Sequence, residues 1–307
     1  MSRPAFIAGD WGTSNLRLAL CTEDGQPLEI RRGAGAAESR GRFAEVFDAL
    51  NADWRDAHGA LPAVLSGMVG SAFGWVEAPY LPCPGDLDEL ADALVAVRPD
   101  VHIVPGMRCT NPLGAPDVMR GEETQLLGAR TAWSTLAGRQ LACMPGTHTK
   151  WVSLLDGIVQ EFITVPTGEL FALLCEHSVL VRDTGTPIVH RAAEFERGLA
   201  ESARHPEIPV LHRLFQSRSL RLDKQLSPEG AASWTSGLLV GTDVAGAMRL
   251  FADHDKQRPV HVIGTPQLID AYSVALTRAG FKAQGVDGEK AVLAGLGIMV
   301  RARKVTA

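Results

Sequence analysis

Two similar segments, almost half a chain apart, place the strongest constraint on how this chain can fold. In the first, an apolar strand runs into the polar pair Gly12–Thr13, and the turn Asp24–Gly25 follows a second strand. In the second, Gly146–Thr147 and Asp156–Gly157 recur in the same order between apolar strands. Such pairs are common singly, but their matched order and spacing predict a duplicated three-strand unit, and therefore two similar lobes.

The rest of the chain alternates between strand and helix patterns. Leu16, Leu18 and Leu20 alternate with other residues, which predicts a strand with one buried face. Thr265–Pro266 supplies an N-cap and a first-turn proline, which predicts the start of a helix. Predicted helices cover residues 43–57, 87–97, 121–133, 241–253, 265–279 and 289–301, and further predicted strands cover 64–67, 101–104 and 260–263. Strands that alternate with helices indicate the α/β class.

Composition excludes several classes of protein. The chain has 307 residues, which suggests two domains, and 46% of them are hydrophobic, which argues against disorder. A net charge of −5 offers no excess of cations for nucleic acid. No apolar stretch approaches the ~18 residues of a membrane helix, and we expect no membrane partner. The five cysteines contain no Cys-x-x-Cys, so we expect no disulfides and a cytoplasmic location.

The first polar turn is a candidate phosphate-binding site. Gly12 at a tight bend would let backbone N–H groups approach an anion, and Thr13, Ser14 and Asn15 add polar side chains. Asp10 directly precedes this turn and could hold Mg²⁺, which prefers one or two carboxylates together with phosphate oxygens. The alternative is an ordinary hairpin loop with a capping aspartate.

The second polar turn repeats this chemistry. Its candidate phosphate-binding residues are Gly146, Thr147, His148, Thr149 and Lys150. Neither turn is a Walker A loop, and no G-x-G-x-x-G fingerprint follows a strand. As a pair, the two turns predict two phosphate clamps, one in each lobe.

Two further features could take part in a reaction. Glu122 and Glu123 begin a predicted helix, where acids stabilise the helix dipole, but one of them could also act as a general base. Gly264–Thr265 joins a strand to a helix and could receive an adenine or a ribose, although it is equally a generic turn.

The order of these motifs resembles the sugar kinase, actin and Hsp70 superfamily. Longer strings are similar to the bacterial 2-dehydro-3-deoxygalactonokinases. These strings are Gly9–Asn15, Ser66–Gly70, Gly74–Glu77, Asp117–Gln125, Pro145–Val152, Thr167–Phe171 and His177–Leu180. One departure is Met144–Pro145, where many superfamily members carry an aspartate before the second turn; Lys150 would then supply positive charge instead.

The resemblance implies a duplicated, two-lobed actin-like (RNase H-like) ATPase fold with an interlobe cleft. Residues 1–137 would form the substrate-side lobe, to which 291–307 return, and 138–290 the nucleotide-side lobe. It implies ATP- and Mg²⁺-dependent phosphorylation of 2-dehydro-3-deoxy-D-galactonate at its 6-hydroxyl, in D-galactonate catabolism. The alternatives are a kinase of another sugar or sugar acid, or an actin-like or Hsp70-like ATPase. The sequence does not fix the oligomeric state, and a homo-oligomer is one of the possibilities.

The resemblance also implies roles for single residues. Asp10 would be a catalytic and metal-binding residue, and Glu122 or Glu123 the base; Glu122 is favoured because it directly follows Gly121. Gly67, Met68 and Trp75 would contact the substrate. Arg108 is a candidate partner for the substrate carboxylate, although a surface salt bridge is an equal alternative.

Overall fold

The computed structural model describes residues 3–181 and 190–303, which form two compact units. The first unit comprises residues 3–140, 152–163 and 286–303, and the second comprises 141–151, 164–181 and 190–285. Residues 1–2, 182–189 and 304–307 of the predicted lobe ranges lie outside the described part. The predicted lobe boundaries, and their assignment to substrate and nucleotide, stay predictions.

The secondary structure consists of short strands and helices of up to twenty residues. The described strands are β1 (Pro4–Trp11), β2 (Asn15–Thr22), β3 (Pro27–Ala34), β4 (Ala63–Gly67), β5 (Tyr80–Pro82), β6 (Gly85–Asp86), β7 (Val95–Arg98), β8 (Val101–Ile103), β9 (Gly106–Thr110), β10 (Pro116–Met119), β11 (Arg139–Met144), β12 (Thr149–Leu155), β13 (Ile158–Val165), β14 (Val260–Gly264) and β15 (Ala283–Asp287). The described helices are α1 (Phe43–His58), α2 (Glu89–Asp92), α3 (Glu122–Ala129), α4 (Thr167–His177), α5 (Ala192–Arg204), α6 (Gln216–Leu222), α7 (Ala231–Leu250), α8 (Pro266–Arg278) and α9 (Gly288–Arg303).

Two six-stranded sheets share one arrangement of strands. The first has the order β3-β2-β1-β4-β8-β7, and the second has the order β15-β14-β11-β12-β13-β6. In each sheet the strand before the polar turn, β1 or β11, lies between the strand after the turn and a parallel strand, β4 or β14. The predicted duplication is therefore confirmed in the topology.

The prediction that β2 buries only one face is wrong. Every residue of β2 after Asn15 is buried, because elements cover both faces of the first sheet. On one face, Leu16, Leu18 and Leu20 join a hydrophobic cluster with α1. On the other face α9 packs against β1. Arg17, which lies on that second face of β2, is therefore buried as well.

Two further predictions differ from the structure. The predicted helix 87–97 is wrong: α2 ends at Asp92, and β7 follows from Val95 to Arg98 because this β-branched stretch pairs with β8. A three-stranded sheet, β10-β9-β5, was not predicted. Its strands have three to five residues, too few for a periodic pattern to show.

Helices α3 and α9 approach each other at backbone distance within the first unit. A Cβ atom on Gly128 would lie 1.9 Å from the carbonyl oxygen of Ala291, and one on Gly295 would lie 2.1 Å from that of Thr124. Only glycine, which has no Cβ atom, permits this approach at Gly128 and Gly295. The start of α3, which carries Glu122 and Glu123, is therefore positioned by α9.

None of the helices formed by residues 3–181 and 190–303 is both long and apolar enough to cross a membrane.

Candidate active site

Asp10, the first polar turn and Gly67 lie at the carboxyl ends of β1 and its neighbour β4. Asp10 lies next to last in β1 and pairs across the sheet with Arg17 of β2. Arg17 is buried; its Nη2 donates to Asp10 Oδ2 at 3.0 Å, and its Nη1 pairs with Glu289 in the first turn of α9. Burial raises the pKa of Asp10, and the Arg17 guanidinium opposes this rise. Arg17 thus holds the Asp10 carboxylate in place.

The turn between β1 and β2 is braced from behind. The N–H groups of Ala36 and Ala37 donate to the carbonyl oxygens of Gly12 and Thr13 at 2.9 and 3.1 Å. A Cβ atom on Gly35 would lie 2.4 Å from the Thr13 carbonyl oxygen, so only glycine fits there. The exposed side chains of the turn are Thr13, Ser14 and Asn15. With its carbonyls engaged, the turn offers hydroxyl and N–H groups to an anion.

The two glutamates at the start of α3 have different surroundings. Glu123 is fully buried, and both its carboxylate oxygens accept the Gly121 N–H, at 2.8 and 2.9 Å. Burial and the nearby charge of Glu122 raise the pKa of Glu123 to about 7. Glu123 therefore accepts a backbone hydrogen bond at the start of its own helix, α3.

Glu122 is only partly buried, and its Oε2 accepts the N–H of Arg120 at 3.0 Å. Its charge is close enough to Asp10 to raise the pKa of that carboxyl group. Of the two adjacent glutamates, Glu122 is thus the more accessible one and the one whose charge reaches Asp10.

Gly67 has a backbone role at the end of β4. Its φ angle is 95°, and a Cβ atom there would lie 2.8 Å from the Trp11 carbonyl oxygen. Gly121, with φ of 106°, touches Gly67: a Cβ on Gly121 would lie 3.4 Å from the Gly67 Cα. Met68, partly buried, begins a short 3₁₀ turn directly after Gly67. The ends of β1 and β4 and the start of α3 meet at these glycines; substrate contact by Gly67 and Met68 stays a prediction.

Trp75 packs against the hydrophobic cluster of the first unit. Its ring centroid lies 5.7 Å from that of Phe47, and the Arg98 guanidinium lies 5.7 Å from the Trp75 ring. Trp75 also lines a small cavity of about 220 Å³ beside the start of α1. These contacts explain its partial burial, and a sugar contact stays a prediction.

Arg108 lies on the middle strand of the three-stranded sheet, and its side chain is exposed. The same sheet places Arg120 after β10, where its guanidinium stacks on Tyr80 at 4.2 Å and donates to the Ala78 carbonyl oxygen at 2.7 Å. Arg120 is thus a second cation at this sheet, and it was not among the predicted site residues.

In the second unit, the candidate phosphate-binding residues around the turn between β11 and β12 differ in exposure. Thr147 and His148 are exposed and Gly146 is partly exposed, whereas Thr149 and Lys150 are buried in β12. The Thr149 hydroxyl lies 3.0 Å from the Tyr272 hydroxyl, deep in the unit. The structure thus gives Thr149 a partner other than a phosphate.

The start of α4 closes against the same turn. Glu169 donates its N–H to the Thr147 carbonyl oxygen at 2.9 Å, and its carboxylate lies 2.9 Å from His148 Nε2. A Cβ atom on Gly168 would lie 2.2 Å from the Gly146 carbonyl oxygen. In the sequence, this stretch stands out only by its family resemblance.

Gly264 and Thr265 lie at the carboxyl end of β14, which is parallel to β11. A Cβ atom on Gly264 would meet Pro145 at 3.4 Å, so this junction adjoins the second polar turn. The Thr265 side chain accepts the Leu268 N–H, which confirms the predicted N-cap of α8. A separate cavity of about 650 Å³ among α5, α6 and α7 contains none of the predicted site residues.

The carboxylates of the first unit fit a magnesium ion carried by a nucleotide. Among residues 3–181 and 190–303, no group of three or more His, Cys, Asp and Glu could hold a metal. Mg²⁺ needs only one or two carboxylates when water and phosphate oxygens complete its coordination. Asp10, at the end of β1 beside the first polar turn, supplies one such carboxylate.

Comparisons with known proteins agree with one another. A profile of the family described as 2-keto-3-deoxy-galactonokinase matches residues 10–299. A 2-dehydro-3-deoxygalactonokinase from Escherichia coli (strain K12) is 37% identical over 294 residues, which cover 95% of this chain and 96% of the relative. A crystal structure from Sinorhizobium meliloti, described provisionally as a 2-dehydro-3-deoxygalactonokinase, matches with a TM-score of 0.87 and 36% identity over 97% of this chain and 98% of that one.

The fold is shared more widely. The activator of 2-hydroxyisocaproyl-CoA dehydratase from Clostridium difficile, solved with bound ADPNP, matches with a TM-score of 0.52 and 9% identity over 97% of this chain and 96% of that one. At that identity the likeness concerns the fold alone. The predicted actin-like α/β fold class is confirmed.

Proposed function

This chain belongs to the 2-keto-3-deoxy-galactonokinase family, and from that premise we propose that it phosphorylates 2-dehydro-3-deoxy-D-galactonate with ATP. The terminal phosphoryl group passes from ATP to the oxygen of the 6-hydroxyl, the bond to the β,γ-bridging oxygen breaks, and ADP leaves. The observation that carries this proposal is the family match over residues 10–299, which contains every predicted site residue.

Glu122 is the general base of the proposed reaction. It is the accessible member of the glutamate pair, and α9 and the glycines at the start of α3 fix its position. It takes the proton of the 6-hydroxyl as the oxygen attacks phosphorus, a contribution of typically ~10²–10⁴-fold in rate. Glu123 stays buried and holds the Gly121 N–H, so it positions Glu122 without touching substrate.

Asp10 would hold Mg²⁺, which when bound neutralises charge on the transferred phosphates. Arg17 keeps the Asp10 carboxylate oriented at the end of β1. Thr13 and Ser14 of the first turn, and Thr147 and the partly exposed Gly146 of the second, would bind phosphate oxygens. Phosphoryl transfer depends mainly on such positioning and charge stabilisation.

The remaining proposed contacts are with the nucleoside of ATP and with the sugar acid. Gly264 and Thr265 adjoin the second turn and would receive the nucleoside of ATP. Arg108, exposed on its strand, would pair with the carboxylate of the sugar acid, since a guanidinium binds a carboxylate through two parallel hydrogen bonds. Gly67, Met68 and Trp75 complete the proposed substrate contacts.

The test is an ADP-release assay on the purified chain with MgATP. We expect turnover with 2-dehydro-3-deoxy-D-galactonate, slower turnover with the gluconate epimer, and little ADP without a sugar acid. Analysis of the product by ³¹P NMR identifies the phosphorylated carbon. The Glu122→Gln variant is the control for contaminating kinases.

Two results would contradict the proposal. ADP release that is unchanged by omission of the sugar acid supports an actin-like or Hsp70-like ATPase. Faster turnover with another sugar or sugar acid assigns the chain a different substrate.

A further inference from the structure

One buried carboxylate of the second unit has no part in the reaction proposed above. Asp243, in the middle of α7, is 7% exposed and accepts three hydrogen bonds from side chains of three other elements. Trp151 of β12 donates to its Oδ1 at 2.8 Å, and Thr167 of α4 and Tyr272 of α8 donate to its Oδ2 at 2.6 and 2.7 Å. We call these four residues, together with Thr149, the Asp243 cluster.

The direction of the hydrogen bonds within the cluster follows from the donors available. The Tyr272 hydroxyl has one proton, which it donates to Asp243. At its 3.0 Å contact with Thr149 it must therefore accept, and Thr149 is the donor. A chain of hydrogen bonds thus runs from Thr149 through Tyr272 to Asp243, and it keeps the Thr149 hydroxyl inside the unit.

The cluster holds both sides of the second polar turn. Thr149 is the residue that directly follows Gly146–His148, so its tether fixes the strand that leaves the turn. Thr167 begins α4, whose next two residues touch the turn: Gly168 at the Gly146 carbonyl and Glu169 at the Thr147 carbonyl. A shift of Asp243 would therefore displace the turn from both directions.

Burying the Asp243 carboxylate costs free energy that a purely structural role would not require. Burial raises the pKa of Asp243, and the three donors oppose this rise without supplying a positive charge. Apolar side chains of the same volume would usually fill such a site at least as stably. The benefit of the cluster is directional, because hydrogen bonds to a fixed carboxylate define the position of each donor.

We propose that Asp243 is a positioning residue, which sets the conformation of the Gly146–His148 turn and thereby the affinity of the chain for a nucleoside triphosphate. Asp243 acts through Thr167 on one side and through Tyr272 and Thr149 on the other. The proposal rests on the proposed function insofar as ATP is the ligand of that turn.

The test measures binding of a non-hydrolysable ATP analogue with Mg²⁺, by calorimetry and without sugar acid. Tyr272→Phe removes one hydroxyl and keeps the ring that packs 6.3 Å from Trp151. We expect its Kd to rise about fivefold to tenfold, the size of one or two hydrogen bonds. Asp243→Asn should have a larger effect. In turnover, KM for ATP should rise while KM for the sugar acid stays unchanged.

Thr235→Val is the matched control. Thr235 is also buried and also in α7, but its hydroxyl bonds to Ser217 and not to the Asp243 cluster. It should lower the melting temperature and leave the Kd unchanged.

If Tyr272→Phe likewise lowers only the melting temperature, Asp243 is a stability feature and the proposal is overturned. Should Asp243→Asn fail to fold, Tyr272→Phe alone decides. A wild-type chain that binds the analogue but phosphorylates no 2-dehydro-3-deoxygalactonate refutes the proposed function and leaves this inference standing. A wild-type chain that binds no nucleotide refutes both.

Discussion

Replacing Glu123 with glutamine should remove a specific pH dependence from the stability of the folded chain. Glu123 is fully buried, and burial together with the charge of Glu122 raises its pKa from 4.5 to about 7. In the unfolded chain its carboxyl group ionises near the ordinary value. Between these two pH values, unfolding therefore releases a proton.

The sign and size of the effect follow from this difference. Because the folded chain holds the proton more tightly, the free energy of unfolding falls as the pH rises. The contribution is fully present below 4.5, is lost as the pH passes through about 7, and changes no further above that value. At about 1.4 kcal/mol per pH unit, the loss amounts to about 3 kcal/mol.

Urea unfolding of the wild type and of Glu123→Gln between pH 4.5 and 8 measures the contribution of Glu123 to the free energy of unfolding. The other ionisable groups are shared, so the free energy of unfolding of Glu123→Gln minus that of the wild type isolates Glu123. This difference should rise by about 3 kcal/mol in favour of the variant across the range. Glu45→Gln, an exposed glutamate in the first turn of α1, is the matched control and should not reproduce the rise.

Parallel stability curves for Glu123→Gln and the wild type would refute the reasoning. They would mean that the Glu123 carboxyl ionises alike in the folded and unfolded chains, and hence that it is not enclosed at the start of α3. The assignment of Glu122 as the accessible glutamate would then lose its structural basis.

Three other predictions concern Glu122, Asp10 and Gly128 of the first unit. Glu122→Gln should lower kcat by at least ~10²-fold while Glu123→Gln stays within about tenfold, measured in the same coupled assay; near-normal activity of Glu122→Gln would move the base elsewhere. Asp10→Asn should lower kcat sharply and weaken the Mg²⁺ dependence with an unchanged circular dichroism spectrum; full turnover would leave Asp10 as a capping residue. Gly128→Ala should destabilise the chain by about 1–3 kcal/mol in urea, because its Cβ would meet the α9 backbone at 1.9 Å. Gly246→Ala, with nothing within 4 Å in α7, should instead stabilise by about 0.5–1 kcal/mol, and equal effects would contradict the close packing of α3 and α9.

The elements predicted best are those whose signal is local. The helix 43–57 matches α1, and Thr265–Pro266 opens α8, because amphipathic spacing and N-capping depend on neighbouring residues alone. The helix predicted from 241 begins at Ala231 instead, because the small residues of its first half carry no amphipathic pattern. The helix 87–97 was predicted wrongly, since pairing with β8 is not a local property.

The candidate site shows the same division. The polar turns at Gly12 and Gly146 were evident from glycine and hydroxyl side chains at strand ends. The partners of these residues were not: Arg17 looked like the exposed side of an alternating strand, and Asp243 like an ordinary residue of a helix. No sequence signal distinguished them, because each depends on elements far away in the chain.

The sequence by itself determined the α/β class, the duplicated strand–turn unit and the family. Only the tertiary structure decided which of Glu122 and Glu123 is buried. Glu122 and Glu123 are the same residue type in the same motif. They differ only in the direction in which each side chain leaves the helix. At the start of α3, which packs at backbone distance against α9, Glu123 is fully buried and Glu122 is only partly buried. Burial is a property of the assembled fold, because its surfaces come from segments more than a hundred residues apart.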